Sequence, residues 1–536
     1  MESDAKNDSQ FALSKIWSNE IVTGFQVSLI ALPLCLGISI ASGFPPIAGI
    51  VTAIIGGLLV SRISGSHITI NGPAAGLIVV ILAGVEKLGH GDAVLGYKLT
   101  LAAIVCAGIL QILLGVFKVG KLSTFFPVSA VHGMLAAIGV IILVKQLPVL
   151  LGTTAQAHSI FGMIKEIPSM ISSANPLILL IGFISLLITI VLPMISIGVV
   201  KKIPAPILVV VIAGIMGTAI GLNSDSSYMF NNKEFHLGSK YLVMLPKNVF
   251  ASLGFPDFSQ VLSLEFISVT FSIAIVGSLE SLLSAAAIDK LDPYKRKSNL
   301  NKDLLAVGVG TTIAGFLGGL PMIAEIVRSS ANINNGAKSG WSNFFHGMFL
   351  LVAVLLIPGL ISSIPLTALA ALLIYTGYRL ASPQEVLKIS KIGLDQLCIF
   401  TITLVSVLAT DLLIGIAAGI LTKIVLHVLR QVNIMHLFSC QVRVMKKNDK
   451  SYVVEVISPL VFSNLLSFSR SIAYFPSDAT VTIDLTKSHF IDHSAIEFLH
   501  DMQRDYGLNG GSLTVKEHMN HEPYTKHVLS ARRLKT

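Results

Sequence analysis

Long apolar runs occupy most of this sequence and exclude an ordinary soluble fold. Hydrophobic residues make up 53% of the 536 residues and charged residues only 12%, whereas a soluble chain has about 25% charged residues. A membrane-spanning helix needs about 20 mostly apolar residues, and the sequence contains seven such runs, a polar break and seven more. It therefore predicts a polytopic α-helical membrane protein with 14 transmembrane segments. A soluble enzyme, a disordered chain and a disulfide scaffold are excluded.

Two of the runs are too short or too polar to cross a membrane alone. They are Ile68–Val85 and Leu320–Ile333, and each is the third run in its set. Short, interrupted segments at matching places in two halves of a transporter mark a binding site at the repeat interface. We therefore expect a repeat of seven plus seven segments, with the site between these two runs. The other runs are Ile21–Ala41, Pro45–Val60, Tyr97–Phe117, Phe125–Leu147, Pro176–Val200, Ile203–Leu222, Phe266–Ile288, Asp303–Leu317, Trp341–Ile361, Ile364–Leu380, Gln396–Thr410 and Asp411–Val432.

The placement of charge predicts the orientation and the domain boundaries. The formal net charge is +9, and basic residues concentrate in loops such as Lys290–Lys302 that are cytoplasmic if both termini are. The positive-inside rule then predicts cytoplasmic termini in a bacterial-type plasma (inner) membrane. Such loops can meet anionic membrane lipid, and no nucleic-acid-binding patch is present. The predicted divisions are a cytoplasmic segment (1–20), a first repeat (21–222), an extracytoplasmic loop (223–265), a second repeat (266–436) and a C-terminal domain (437–536).

The C-terminal 100 residues have a different pattern. Strand-like and helix-like segments alternate there, which predicts a small cytoplasmic α/β domain. The predicted strands are Cys440–Lys446, Ser451–Ile457, Thr480–Leu485 and Ser512–Val515, and the predicted helices are Leu460–Ala473, Ala495–Tyr506 and Glu522–Leu534.

Glu280 is the only charged residue between Phe266 and Ile288. A charge at a helix centre in the membrane costs about 2.5–3.5 kcal/mol or more, so Glu280 needs a cavity, a partner or a proton. One interpretation is a structural carboxylate bonded to a neighbouring helix. The other is a cation or proton site, because a buried carboxyl favours its neutral form and can carry a proton near neutral pH.

Glu325 and Arg328 open the second short run and are i,i+3 neighbours, so they can pair on one helix face. A purely structural ion pair is one interpretation. The alternative is that Arg328 attracts an anion bound beside a helix N-terminus, which carries about half a positive charge. In the first short run, Gly72 and Pro73 allow a close backbone approach at a helix start. Facing each other, the two starts would form an anion site.

Several stretches of sequence match one family of transporters. They are GSHITINGPAAG (65–76), SLESLLSAAAID (278–289) and GFLGGLPMIAEIVRSSANINNGAKS (315–339). The tail VTIDLTKSHFIDHSAIEFL (481–499) resembles the core of a STAS domain. Together they resemble the SulP family of anion transporters, which is related to the animal sulfate and chloride exchangers and to prestin. The resemblance covers nearly the whole chain.

The resemblance implies an inverted repeat with core and gate domains, elevator-like movement, and an anion between the N-termini of the third and tenth segments. Glu280 matches a carboxylate on the eighth segment that handles the coupling cation. Ser494 matches a serine that is phosphorylated in related anti-anti-sigma proteins. The predicted anion site comprises Gly72, Pro73, Ala74, Glu325, Ile326, Arg328, Ile38 and Ser39, and the predicted site for the coupling cation or proton comprises Glu280, Ser284, Thr69 and Ala324.

The sequence departs from the family at Glu325, where many members have small residues. A like charge at about 4 Å costs about 4 kcal/mol at an intermediate dielectric, so Glu325 should weaken a doubly charged ligand such as sulfate. The surrounding motif also resembles members found beside carbonic anhydrases, which favours bicarbonate, with sulfate next. The predicted function is symport of that anion with protons or sodium.

Other functions are compatible with the same architecture. They are an uncoupled, channel-like anion pathway, a nucleobase transporter, and a receptor whose STAS domain is the output. Arg328 and the STAS tail argue against the nucleobase transporter. The protein is not expected to be an enzyme or to hold a cofactor, although a sodium ion near Glu280 is the alternative to a proton. The family resemblance implies a homodimer and a regulatory partner for the STAS domain.

Overall fold

A computed structural model describes residues 13–120, 127–157, 159–195, 204–245, 254–448, 450–476, 478–508, 510–517 and 520–535. Most of the predicted segment 1–20 lies outside these residues, as do parts of the runs Phe125–Leu147, Pro176–Val200 and Ile203–Leu222. The chain divides into two compact units. The first comprises Met1–Gly120 and Ile138–Arg379, and the second comprises Lys121–Ala137 and Leu380–Thr536.

The membrane part is helical, and every predicted apolar run contains a helix. In the described part of the chain, six helices are long and apolar enough to cross a membrane, and they are Trp17–Ala41, Ala93–Val116, Val128–Leu151, Pro176–Met194, Leu264–Leu291 and Leu412–Leu429. The number of crossings and the seven-plus-seven repeat stay predictions. The helices are α1 (Leu13–Ala41), α2 (Ile47–Ile55), α3 (Ile78–Gly89), α4 (Ala93–Val116), α5 (Val128–Leu151), α6 (Ile160–Ser172), α7 (Pro176–Val191), α8 (Ala205–Ala219), α9 (Leu264–Leu291), α10 (Leu300–Phe316), α11 (Ile326–Asn334), α12 (Trp341–Leu356), α13 (Pro358–Ser362), α14 (Leu366–Leu380), α15 (Pro383–Ile392), α16 (Leu394–Ala409) and α17 (Leu412–Leu429).

The two short runs are interrupted, as the sequence predicts, but each begins with a strand. Strand β1 (Ile70–Pro73) precedes a 3₁₀ turn (Ala75–Leu77) and α3, and β4 (Met322–Glu325) leads directly into α11. The two strands pair with each other in antiparallel register, with Asn71 opposite Ala324. Each strand is followed by a helix, so the N-termini of α3 and α11 both border the strand pair. The pairing brings the two sequence halves together within the first unit.

The break between the two sets of helices is not only loop. It contains a hairpin of β2 (Ser226–Phe230) and β3 (Lys233–Leu237) that the sequence analysis did not predict. Most of the side chains of both strands are exposed, so the apolar alternation that identifies a half-buried strand is absent.

The C-terminal part of the second unit is an α/β domain, as predicted. Its main sheet has the strand order β5-β6-β7-β9, with β5 antiparallel to β6 and the other pairs parallel. Apolar residues of the central strands and both helices form one buried core, which includes Val454, Phe468 and Ile483. The elements are β5 (Val442–Asn448), β6 (Ser451–Val456), α18 (Leu465–Ile472), β7 (Thr480–Asp484), β8 (Phe490–Ile491), α19 (His493–Leu508), β9 (Ser512–Lys516), β10 (His521–Pro523) and β11 (Arg532–Leu534).

The predicted last helix, Glu522–Leu534, is wrong. This segment forms β10 and β11, which join β8 in a second, three-stranded sheet. Between the strands, the Thr525 N–H donates a hydrogen bond to Ser530 Oγ (2.9 Å), and the His527 N–H donates to Thr525 Oγ1 (3.2 Å). Such local bonds from Ser and Thr offer the backbone an alternative to the helix.

Candidate functional site

The site is built around the β1–β4 pair, and polar side chains fix that pair in the membrane core. The Ile70 N–H donates to Ser329 Oγ (2.8 Å), and Asn332 Nδ2 donates to the carbonyl of Ile68 (2.9 Å). Asn343 Nδ2 on α12 donates to Asn71 Oδ1 (3.1 Å). The first two bonds satisfy backbone groups that hydrocarbon cannot satisfy, which is the condition for non-helical backbone in a membrane protein.

Arg328 is fully buried beside this pair. Its side chain is 1% exposed, and a Cβ built on Gly72 would lie 2.4 Å from Nη1. Nη2 lies 3.7 Å from Oε1 of Glu325, which is an ion pair but not a hydrogen bond. The Cys35 thiol lies beside the guanidinium, but sulfur is a weak acceptor. Among the described residues, none of the three guanidinium nitrogens has a hydrogen-bond partner.

Glu280 lies on α9 against the first turn after β1. A Cβ built on Gly76 would lie 2.4 Å from both carboxylate oxygens, so only glycine allows this approach. Oε2 of Glu280 is buried without a hydrogen-bond partner in the described structure, and Glu325 is close enough to interact as a like charge. The neighbouring Ser281 hydroxyl accepts a hydrogen bond from the Ala324 N–H (3.1 Å), which joins α9 to β4.

The two carboxylates and one guanidinium therefore form one buried cluster in the first unit. With both carboxyls ionised, the cluster carries one excess negative charge while the arginine donors stay unsatisfied. Buried polar groups are normally paired, and an unpaired one indicates a missing ligand, water or proton. The arrangement can thus accept an oxyanion at Arg328 and a cation or proton at the carboxylates.

The other predicted site residues are buried, with the exception of Ile326. Gly72, Pro73 and Ala74 lie at the end of β1 and are buried, and Ala324 is buried in β4. Ile326 is 42% exposed on the first turn of α11. Ser284, Thr69 and Ile38 are buried, and the structure records no hydrogen bond from Ser284 or Thr69 to Glu280.

Ser39 joins two neighbouring helices. Its hydroxyl donates to the Cys35 carbonyl (2.9 Å) and accepts from the Gly49 N–H (2.7 Å). These bonds fix α1 against α2, and the predicted place of Ser39 in the anion site stays a prediction.

In the described part of the chain, no group of three or more His, Cys, Asp or Glu side chains is placed to hold a metal ion. Glu280 and Glu325 both supply carboxylate oxygens near the strand pair.

A model of the sulfate permease family matches residues 18–403. The chain belongs to the sulfate permease family. Its members are transporters, so this protein is an anion transporter and not an enzyme. The match ends before α17 and the C-terminal domain. The site residues Gly72, Glu280, Glu325 and Arg328 all lie inside the matched region.

Relatives in this family are named for different substrates. The chain is 27% identical to a putative sulfate transporter, YvdB, of Bacillus subtilis over 506 residues, which is 93% of this chain and 91% of the relative. It is 25% identical to the bicarbonate transporter BicA of Picosynechococcus over 418 residues, which is 77% of this chain and 71% of that one.

Two solved transporter structures have the same fold as this chain. The transmembrane domain of a cyanobacterial bicarbonate transporter, BicA, covers 75% of this chain and is itself covered to 97%, with a TM-score of 0.61 and 23% identity. Murine Slc26a9, an anion transporter in the inward-facing state, covers 94% of this chain and is covered to 86%, with a TM-score of 0.67 and 18% identity. The protein is a multi-pass membrane protein with this transporter fold, and its C-terminal strands fit a STAS domain.

Four polar residues that support the site were not predicted from the sequence. Ser329 and Asn332 follow Arg328 on α11, and Asn343 pairs with Asn71. A signal for them is present, because an amide or hydroxyl in an apolar run needs a buried partner. Nothing in the spacing indicates which partner it has.

Proposed function

We propose that the protein is a secondary active transporter that carries bicarbonate, with sulfate as the next candidate, by symport with protons. The observation that supports this most is the buried Arg328 guanidinium, whose three nitrogens have no hydrogen-bond partner in the described structure. A planar guanidinium donates two parallel hydrogen bonds to an oxyanion. The N-termini of α3 and α11, which border the same strand pair, add favourable partial charge.

Glu325 supports a singly charged substrate. Its Oε1 lies 3.7 Å from Arg328 Nη2, so an anion at Arg328 meets a carboxylate within a few ångströms. Each added negative charge at about 4 Å costs about 4 kcal/mol at an intermediate dielectric. A dianion therefore pays roughly twice the penalty of bicarbonate. The relatedness to a bicarbonate transporter agrees with this ranking, and the relatedness to a putative sulfate transporter keeps sulfate second.

The pair of nearby carboxylates supports protons as the coupling ion. Glu280 and Glu325 interact as like charges, and one proton shared between such groups removes the repulsion. Sodium is the alternative, and it requires several oxygen ligands around Glu280.

The remaining features of the proposal follow the family resemblance. They are fourteen segments in a seven-plus-seven inverted repeat, elevator movement of a core against a gate, cytoplasmic termini in a bacterial inner membrane, and a homodimer. An uncoupled, channel-like pathway is the alternative function, and the buried Glu280 argues against it. Phosphorylation of Ser494 stays a prediction, and its side chain is 6% exposed.

The decisive experiment is uptake of labelled bicarbonate into proteoliposomes under an imposed proton or sodium gradient, with sulfate as competitor. We expect uptake above that of empty liposomes, driven by an inward proton gradient and resistant to sulfate. Uptake that is driven by a sodium gradient and not by a proton gradient would show that sodium is the coupling ion. Transport of sulfate without bicarbonate would contradict the proposed substrate.

Glu325→Gln is expected to shift the anion preference toward dianions. The amide keeps the size of the side chain but removes the like charge beside Arg328, so sulfate should compete at least tenfold better, which corresponds to about 1.4 kcal/mol. The measurement is the sulfate concentration that halves bicarbonate uptake. Glu86→Gln is the matched control, because that side chain is 62% exposed. An unchanged sulfate competition in Glu325→Gln would show that Glu325 does not face the anion.

A further inference from the structure

His346 is a buried polar residue on α12 that the transport site described above does not include. It is fully buried, and neither of its ring nitrogens has a hydrogen-bond partner among the described residues. Leaving a buried donor or acceptor unpaired costs free energy, and such a group indicates a missing ligand or water. The imidazole therefore requires a partner that satisfies both nitrogens.

The packing of α12 brings His346 to the β1–β4 pair. Asn343, which lies one turn earlier on the same face of α12, bonds to Asn71 of β1. The next residue of β1 is Gly72, where a Cβ would lie 2.4 Å from Arg328 Nη1. Arg328 is also close enough to act on the charge of His346. The imidazole and the guanidinium therefore belong to one buried polar region of the first unit.

The neutral imidazole is the form that fits this position. A protonated His346 would place a second positive charge near the buried Arg328, and like charges repel strongly where water is excluded. A neutral imidazole has one N–H donor and one nitrogen that accepts a hydrogen bond, whereas a guanidinium has only donors. His346 therefore adds an acceptor beside a cation that can only donate.

The other unpaired polar atoms near the strand pair also include both donors and acceptors. In the described structure, Arg328 and Asn71 have unpaired N–H groups, whereas the Oδ1 atoms of Asn332 and Asn343 are unpaired acceptors. A ligand that satisfies this region accepts several hydrogen bonds and donates at least one. Bicarbonate has both properties, because its hydroxyl donates and its other two oxygens accept. Sulfate, nitrate and chloride only accept.

An ordered water is the alternative partner of His346. One water can donate to one ring nitrogen and accept from the other, and buried waters commonly satisfy such groups. That water would keep the same partners whichever anion is bound. The two explanations therefore differ in whether His346 discriminates between anions.

We propose that the acceptor nitrogen of His346 receives a hydrogen bond from the hydroxyl of bound bicarbonate and so selects bicarbonate over oxyanions that lack a hydroxyl. The inference rests on the proposed substrate and names a residue that determines the specificity for it. Arg328 binds the charge of the anion, and His346 recognises its hydroxyl. No proton is transferred in this contact, so the proposed role of Glu280 in coupling is unchanged.

The test compares bicarbonate with nitrate, a planar monoanion that has no hydroxyl. Each anion is titrated at the same pH into the full-length protein in detergent, and thermal unfolding gives the two dissociation constants. We expect the parent to bind bicarbonate about tenfold or more tightly than nitrate, because nitrate leaves the acceptor of His346 unpaired. In His346→Phe the ratio of the two constants should fall by about fivefold or more, because the ring stays but its acceptor is lost. His346→Gln, whose amide oxygen is an acceptor, should retain part of the preference.

The control is His90→Phe, because the His90 side chain is 63% exposed beside Glu265. An unchanged ratio in His346→Phe, with bicarbonate preferred in the parent, would refute the role of His346 and leave the proposed substrate standing. A parent that binds nitrate as tightly as bicarbonate, or binds neither anion, would refute the proposed substrate and this inference with it. If His346→Phe does not accumulate, His346→Leu is compared with His346→Gln, and equal ratios in these two variants would overturn the inference.

Discussion

Arg328→Ala is expected to weaken anion binding by roughly 10- to 150-fold and to leave the ligand-free protein at least as stable as the parent. The loss of affinity follows from the 1.5–3 kcal/mol that a hydrogen bond to a charged group contributes, at about 1.4 kcal/mol for each tenfold change. Thermal unfolding in detergent with bicarbonate titrated in gives both quantities, since a ligand raises the stability of the state that it binds.

The expected stability of Arg328→Ala follows from the missing hydrogen bonds of the Arg328 guanidinium. Its guanidinium is buried, its three nitrogens have no hydrogen-bond partner in the described structure, and the Glu325 oxygen is 3.7 Å away. A buried charge without full compensation lowers stability. Truncation removes that charge and breaks no hydrogen bond, and Glu325 can then take up a proton.

Arg296 is the matched control because its guanidinium is satisfied. Its Nε lies 2.8 Å from Asp292 Oδ2, and its Nη1 donates to the Lys338 carbonyl at 2.8 Å. Arg296→Ala should therefore lower the unfolding temperature and leave anion affinity unchanged, the reverse of Arg328→Ala. Equal anion affinity in Arg328→Ala and the parent would refute the anion site. A large loss of stability in Arg328→Ala would show that the arginine is structural.

The broad architecture is readable from the sequence because the membrane imposes it. Each span must be apolar over its length, so runs such as Ile21–Ala41 and Phe266–Ile288 identify helices without any tertiary information. The two interruptions are readable for the same reason, since Pro73 and Glu325 are costly in a continuous span. The sequence therefore predicts where the candidate site lies and which charges line it.

The contacts within the site could not be predicted, because they depend on register between distant segments. Nothing local shows that Asn71 lies opposite Ala324, or that Ser39 bonds to Gly49. The contact of Lys423 on α17 could not be predicted for a related reason. Its partner, Asp492, lies in another domain, and sequence spacing carries no information about such a pair.

Glu280→Gln is expected to abolish gradient-driven accumulation while leaving exchange of labelled anion across the membrane intact. A one-proton symporter turns a gradient of two pH units into at most about 100-fold accumulation, since each tenfold ratio corresponds to about 1.4 kcal/mol. Glutamine fills the same space against Gly76 but neither gains nor loses a proton. The accumulation ratio should therefore fall to about one at every gradient. Glu265→Gln on the same helix is the control, because Glu265 is 54% exposed beside His90.

Gly76→Ala provides an independent test of the same carboxylate. The new Cβ would lie 2.4 Å from both Glu280 oxygens, so the side chain must move although its charge is kept. Because the carboxylate is the far end of a flexible side chain, we expect it to shift and the protein to fold. Accumulation should fall in part, between the parent and Glu280→Gln. Full accumulation in Glu280→Gln would remove Glu280 from the coupling step. Accumulation lost in Gly76→Ala but retained in Glu280→Gln would assign the coupling ion to the backbone beside β1 instead.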